Sequence, residues 1–166
     1  METVKYLGVE NDNLGLDFFL TEKDKIEDLP NEFIAFAIGG KHETKKLPEE
    51  KIISICRKLN EKIILIGGEE DFEKGEKIVA DTTNTQNTCG KHSIVQSAFI
   101  IKNAKHVISH DTGMMHIAAA FKKKIYSVWG NTIPAFGMGP YLANLNSKII
   151  EVENLSCRPC TKIGYQ

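Results

Sequence analysis

Four short apolar runs in this chain each end in glycine or in a small turn, and that recurrence leaves few folds open. Residues 33–38 (Phe-Ile-Ala-Phe-Ala-Ile) run into Gly39-Gly40, and residues 62–66 into Gly67-Gly68. Val107-Ile108-Ser109 leads to Asp111-Thr112-Gly113, and residues 125–129 stop at Gly130. Helical signals fill the gaps. Pro48, a residue favoured at a first helical position, precedes Ile52, Cys56 and Leu59 spaced for one face. A polar helix is expected over 72–80, with a short strand segment near Thr88 and Cys89. Ser93 with Gln96 forms a capping box opening a helix with Val95, Ala98 and Phe99 inward. Residues 148–152 read as a last strand. Nearly all-apolar strands alternating with helices predict an α/β fold, a parallel sheet with helices on both faces. In such a sheet the small residues ending each strand share one rim, where a ligand can approach the backbone closely.

One strand end stands out. After Val107-Ile108-Ser109-His110 the chain turns at Asp111-Thr112-Gly113 and continues as Met-Met-His-Ile-Ala-Ala-Ala-Phe, a strong helix former. A strand feeding a helix through such a turn leaves free backbone N–H groups and the positive end of the helix dipole on the rim. That is where open α/β sheets hold phosphorylated ligands.

With 166 residues the chain can bury a full core as one domain, and 42% hydrophobic with 26% charged residues is a soluble globular composition. A net charge of −1 gives no general pull toward nucleic acid or anionic membrane. No apolar run approaches the ~18–20 residues that span a bilayer, and the first residues lack a signal-peptide layout, so a cytoplasmic location is expected. Residues 1–30 are poorly periodic and read as a lead-in or interdomain connector, with the folded domain over 31–166.

Each polar motif has a plainer reading beside it. Asp-Thr-Gly marks aspartic proteases too, but those place it in a β-loop and need a second copy to share a proton; here it enters a helix and occurs once. His106 and His110, four apart on a strand, are separated by roughly 13 Å. With no second carboxylate or Cys beside His110 and His116, no metal site is expected. His116 reads as a hydrogen-bond donor to ligand or loop. Lys45-Lys46 follows the first glycine pair: it is either a solvated loop or the cation that a pyrophosphate on this rim requires. Glu69 either accepts from a ribose or base, or caps the next helix. Lys122-Lys123-Lys124 suits a helix C-terminus, where cations are stabilised by about 0.3–1 kcal/mol each. A weak membrane-surface role is the alternative. Cys56 and Cys89 read as small buried hydrophobes. Cys157 and Cys160 have zinc-knuckle spacing, but two thiolates do not fill a four-ligand site; standing six residues from the end, they hint at a chain cut short.

Taken in order, the motifs resemble a known family. Strand–Gly-Gly is followed by Lys45-x-x-Pro48-Glu49-Glu50, strand–Gly67-Gly68-Glu69 and Gly90-Lys91-x-Ser93. Then come Ser109-x-Asp111-Thr112-Gly113-Met114-x-His116-x-Ala118-Ala119-Ala120 and strand–Gly130-Asn131-Thr132-x-Pro134. This order is similar to that of glycosyltransferase family nine, the lipopolysaccharide heptosyltransferases, over residues 33–160. The Asp-Thr-Gly-Met-x-His block is its specific part. The resemblance implies a GT-B fold, two Rossmann-like domains facing across a cleft, of which this chain is the C-terminal, nucleotide-sugar-binding half. It implies that Lys45 contacts donor phosphate, Glu69 the nucleoside and Asp111 the sugar hydroxyls. Thr112, Gly113 and Met114 would offer backbone N–H groups to the diphosphate, with His116 supporting that loop. Leu47 departs from the tryptophan usual before the proline. The N-terminal domain, which carries the acceptor and the general base, is expected to be missing from this chain.

The resulting expectation is the donor-binding domain of an inverting glycosyltransferase, an ADP-heptose:lipopolysaccharide heptosyltransferase, inactive by itself. Its partners would be the nucleotide-sugar and, through the missing domain, the lipopolysaccharide core acceptor. No cofactor, nucleic acid or metal is expected, and membrane contact is at most peripheral, at the inner face of the cytoplasmic membrane. Two rivals remain: another GT-B or epimerase-type nucleotide-sugar enzyme, and a non-catalytic nucleotide-binding partner domain.

Overall fold

The computed structural model describes residues 2–152, 155, 158 and 159. Strands β1 (Phe33–Ala37), β2 (Lys62–Ile66), β3 (Thr85–Asn87), β4 (His106–His110), β5 (Ile125–Trp129) and β6 (Lys148–Glu151) form one sheet. Its order is β3-β2-β1-β4-β5-β6, and every neighbouring pair is parallel. Helices α1 (Glu49–Lys58), α2 (Phe72–Ala80), α3 (Ile94–Asn103) and α4 (Gly113–Ala120) connect the strands. The expected α/β, Rossmann-like sheet is the one observed.

Side-chain alternation along the strands sets the two faces. Ile34, Phe36 and Ile38 of the first run join Ile52 and Cys56 of α1 and Ile78 of α2 in one cluster. Phe33 and Ala35 join Ala98, Ile100 and Ile101 of α3 and Met115 and Ile117 of α4 in the other. Each isoleucine buried this way contributes about 1.5–3 kcal/mol. Both faces need covering because β1 is apolar at every position and buried throughout. Cys56 and Cys89 are buried free thiols, and burial pushes them up to about 11 and about 12, well away from thiolate chemistry.

Several local expectations shift. The Ser93–Gln96 capping box forms, with Gln96 N–H donating to Ser93 Oγ and Ser93 N–H to Gln96 Oε1, a device worth about 1 kcal/mol. The inward face of α3, however, is Ser97, Ala98, Ile100 and Ile101, while Val95 and Phe99 are half-buried. Apolar residues fall on more than one side of this helix, with Ile94 exposed and Ser97 buried, so spacing alone does not choose its face. Pro48 is the N-cap of α1 and not its first residue. The short strand lies at Thr85–Asn87, just ahead of Thr88 and Cys89. Residues 2–30 hold no strand, yet Phe18, Leu20, Ile26 and Leu29 pack on the α3–α4 side of the core.

The lysine run follows the C-cap of α4, at a helix C-terminus as expected, and its side chains make contacts beyond that helix. Lys122 Nζ donates to the carbonyls of Leu14 and Leu142, Lys123 Nζ to that of Ala104, and Lys124 lies 5.1 Å from the Tyr126 ring centroid. Burial holds Lys123 below the usual lysine value. Lys122 ties the N-terminal segment and the β5–β6 connection to the end of α4. No described helix is long and apolar enough to cross a membrane. Cys157 and Cys160 lie outside the described residues.

Candidate functional site

The strand order reverses direction between β1 and β4, and a cleft opens at the carboxyl ends of those two strands. Such a switch point is where open α/β sheets take ligands, because the connections to either side diverge and leave a crevice. The cleft measures about 900 Å³ and is lined by the loop after β1, including Lys45 and Lys46. Gly67, Gly68, Glu70 and Asp71 line it beyond β2, His92 and Ile94 at the start of α3, and Asp111, Thr112, Gly113 and Met114 after β4.

At its centre Lys45 Nζ pairs with Asp111 Oδ2 at 2.6 Å, with side-chain exposures of only 12% and 7%. Thr132 Oγ1 donates to the same oxygen at 3.1 Å. One carboxylate thus gathers a cation from the β1 loop and a hydroxyl from the β5 loop, 66 residues before and 21 after it in sequence.

Next to Asp111, Thr112 is the extended N-cap of α4 but caps nothing with its side chain, which approaches Ser109 Oγ instead. The first turn of α4 carries no acidic residue. The first N–H groups of any helix lack intrahelical partners, so those of Gly113 and Met114 are donors at the positive helix end. Around Gly113 there is room. A Cβ added there would meet nothing within 4 Å.

Three other strand-end glycines behave differently, so the rim is not open to ligand along its whole length. A Cβ at Gly39 would stand 2.3 Å from Asp71 Oδ2, one at Gly67 2.8 Å from Asp71 Cβ, and one at Gly130 2.6 Å from the Thr44 carbonyl oxygen. These glycines let protein loops press onto the strand ends. Gly113 keeps its space open to the cleft.

Asp71, itself buried, accepts the Gly68 N–H and takes Lys46 Nζ at 3.4 Å, while Lys46 also reaches Glu43 at 2.6 Å. Burial works to lower Lys46, but its two carboxylates outweigh that and raise it above the usual lysine value. The Lys46 hydrogen bond in turn lowers Glu43. Lys46 therefore bridges the β1 and β2 loops, whereas Lys45 points to β4.

His110, fully buried, holds the lysine loop from below: its Nε2 accepts the Leu47 N–H at 3.0 Å, and Lys74 Nζ donates to the Leu47 carbonyl. An accepting Nε2 puts the ring proton on Nδ1. Burial, with the Lys74 and Lys46 ammoniums adding to it, pushes the imidazole from 6.5 down to about 4, against the opposing influence of the Gly39 backbone and Asp71. The unfolded chain therefore binds this proton first as pH drops. Stability owed to neutral His110 is complete above pH 6.5 and is lost as pH falls toward 4, by about 3 kcal/mol in total. Denaturant titrations between pH 7 and 4.5 should show a shallower slope for His110→Asn than for wild type. Parallel slopes would refute the assignment.

Of the residues singled out from sequence, Lys45, Asp111, Thr112, Gly113 and Met114 meet on one cleft wall. Glu69 is exposed beyond Gly68 and is not among the cleft-lining residues, where Glu70 stands instead; His116, half-buried on α4, does not line the cleft either. Leu47 packs on the α1–α2 side of the core while its backbone is held by His110 and Lys74. Sequence reasoning missed Thr132, Lys46 with Asp71, and the loop-holding role of His110. Only the Gly-Asn-Thr pattern after β5 gave any signal for Thr132.

The match to known proteins follows this geometry. The family model of glycosyltransferase family 9 (heptosyltransferase) matches residues 7–165. This chain belongs to glycosyltransferase family 9. Among curated relatives, lipopolysaccharide heptosyltransferase 2 of Salmonella typhimurium is 28% identical over 100 residues, 55% of this chain and 29% of that protein. Lipooligosaccharide heptosyltransferase 2 of Haemophilus influenzae is 29% identical over 109 residues, 61% of this chain and 31% of that protein. Solved family 9 structures share the fold. The Veillonella parvula glycosyl transferase aligns with a TM-score of 0.77 at 24% identity, covering 91% of this chain and 47% of that one. ADP-heptose lps heptosyltransferase II of E. coli gives 0.67 at 19%, covering 89% and 50%. The E. coli heptosyltransferase WaaC with ADP gives 0.65 at 23%, covering 75% and 40%. The chain thus spans about a third of the length of these curated relatives.

Proposed function

We propose that this chain is the donor-binding, C-terminal half of an inverting GT-B glycosyltransferase that takes ADP-heptose and serves transfer of heptose to the lipopolysaccharide core. The observation that carries this reading is the meeting of Lys45, Asp111 and the uncapped start of α4 at the β1–β4 switch point. Family 9 membership and relatives named as lipopolysaccharide heptosyltransferases support the choice of sugar and acceptor.

The diphosphate lies over Gly113, where the backbone leaves room, and accepts from the N–H groups of Gly113 and Met114. Lys45 turns to the phosphate, and Asp111 accepts from the donor sugar hydroxyls. Glu69, exposed just outside the cleft beside Gly68, turns in to serve the nucleoside, and His116 steadies the α4 turn from behind. An acceptor hydroxyl attacks the anomeric carbon from the opposite face. The bond from that carbon to the phosphate oxygen breaks, and the diphosphate departs with the electron pair. Lys45 and the α4 N–H groups take up that charge without a metal or other cofactor. Each such preorganised donor is worth about 10²–10³ in rate. The base that removes the acceptor proton must come within about 2.6–3.2 Å of it. In this reading a facing domain supplies that base and the acceptor site, working at the inner face of the cytoplasmic membrane.

Titration of the ¹⁵N-labelled chain with ADP and with an ADP-sugar tests the donor site. The expected result is saturable amide shifts concentrated at 111–116 and in the Lys45 loop. Shifts that spare 111–116 would overturn the reading.

A further inference from the structure

Arg158 has no part in the donor contacts just described, yet its guanidinium is tied to the same place. Its Nε donates to the Gly130 carbonyl at 2.6 Å and its Nη2 to the Thr132 carbonyl at 2.7 Å. Nη2 also pairs with Glu151 Oε2 at 2.7 Å, and Nη1 reaches the Val152 carbonyl at 3.3 Å. The side chain is only 9% exposed. A planar fork thus fastens the end of β6 to the loop after β5 through both carbonyls that flank Asn131. Thr132, in that loop, is fully buried and gives its hydroxyl to Asp111 Oδ2. Gly130 in turn lies under the Thr44 carbonyl, next to Lys45.

We propose that Arg158 is a positioning residue for the sugar end of the donor, holding Thr132 and, through its hydroxyl, the carboxylate of Asp111. The inference rests on the donor reading above for what Asp111 contacts. Arginine suits this work because its fork is rigid and delivers several donors in one plane. Lysine offers a single point charge and cannot hold two carbonyls and a carboxylate in register. The unpaired alternative is costly as well: the carbonyl of Thr132, a fully buried residue, would lose its donor.

The test uses the whole chain with Arg158→Ala, Arg158→Lys and Thr132→Val, the last leaving the arginine contacts in place. Arg57→Ala, which breaks an exposed pair with Asp81 away from the cleft, serves as control. The first readout is the ¹³Cγ resonance of Asp111 without ligand. It should move in Arg158→Ala and in Thr132→Val, and stay in Arg57→Ala. The second readout is the ratio of ADP-sugar to ADP affinity. Arg158→Ala should lose about tenfold in that ratio, Arg158→Lys should not restore it, and in an Asp111→Asn background the loss should vanish. An Asp111 resonance unmoved by Arg158→Ala overturns the proposal, as does an equal loss for ADP and ADP-sugar, which would mark a clip with no bearing on the sugar. Failure of the donor reading is distinct: wild type would then bind neither ligand, whatever the Asp111 resonance does, and the sugar-end assignment would fall with it.

Discussion

Gly113→Val is expected to abolish binding of diphosphate ligands while leaving the fold as stable as wild type. A Cβ built at this position has nothing within 4 Å, so a side chain can be added there without displacing the packing around it. Gly113 is the first residue of α4, and valine is a better helix former than glycine by a few tenths of a kcal/mol. The protein therefore has no reason to unfold. The ligand does have a reason to leave: two methyl groups would stand over the first N–H groups of α4, in the volume that the diphosphate needs. A loss of at least about 100-fold in ADP affinity, or about 2.7 kcal/mol, is expected from losing those contacts. Calorimetric titration measures it, and a thermal melt checks the fold. A valine variant that melts normally and still binds ADP at wild-type strength would move the diphosphate away from α4.

Lys45→Ala should have an effect of similar size with a different signature. In the ligand-free protein this ammonium sits 2.6 Å from Asp111. Removing it takes away the attraction to phosphate and also leaves a carboxylate facing the incoming anion. ADP affinity should fall by about 100-fold, and adenosine affinity should not change. Because a charge contact is screened by salt, the gap between wild type and variant should narrow as ionic strength rises. Stability falls too, by about 3 kcal/mol, since breaking a largely buried pair strands one charge. The double variant Lys45→Ala/Asp111→Asn separates the two consequences: it should recover stability without recovering ADP affinity. Equal losses for ADP and adenosine would return Lys45 to a structural role.

Much of the sheet was legible in the sequence because β1 and β2 are buried on both faces, and their near-continuous apolar runs have few other uses. The turn at Asp111 was legible for a related reason, since one short stretch contains strand, turn and helix together. What could not be seen was made by distant segments meeting. The Lys46–Asp71 bridge joins residues 25 apart, and the His110–Leu47 hydrogen bond residues 63 apart. No periodicity encodes such pairs. The glycines show the limit most clearly. Gly39 and Gly113 look alike in sequence, each just past an apolar run, but Asp71 fills the space at one while the space at the other is open to the cleft. β6 marks another limit: Ile149 and Ile150 are half-exposed on an edge strand, so apolar composition there did not mean burial.

The strand order also bears on how the protein comes to be folded. β1 lies between β2, its near neighbour in the chain, and β4, which pairs Ile34 with His106 across the whole of the intervening α1, β2, α2, β3 and α3. Closing so large a loop is entropically costly and slow compared with forming the β1–β2 half. Lys45 comes from one side of that closure, Asp111 and α4 from the other. A ligand bridging them binds only chains in which the late pairing is complete, and mass action then favours that state over partly assembled ones. A donor bound there as proposed would thus act as a brace across the seam of the sheet and shift the balance toward its finished form.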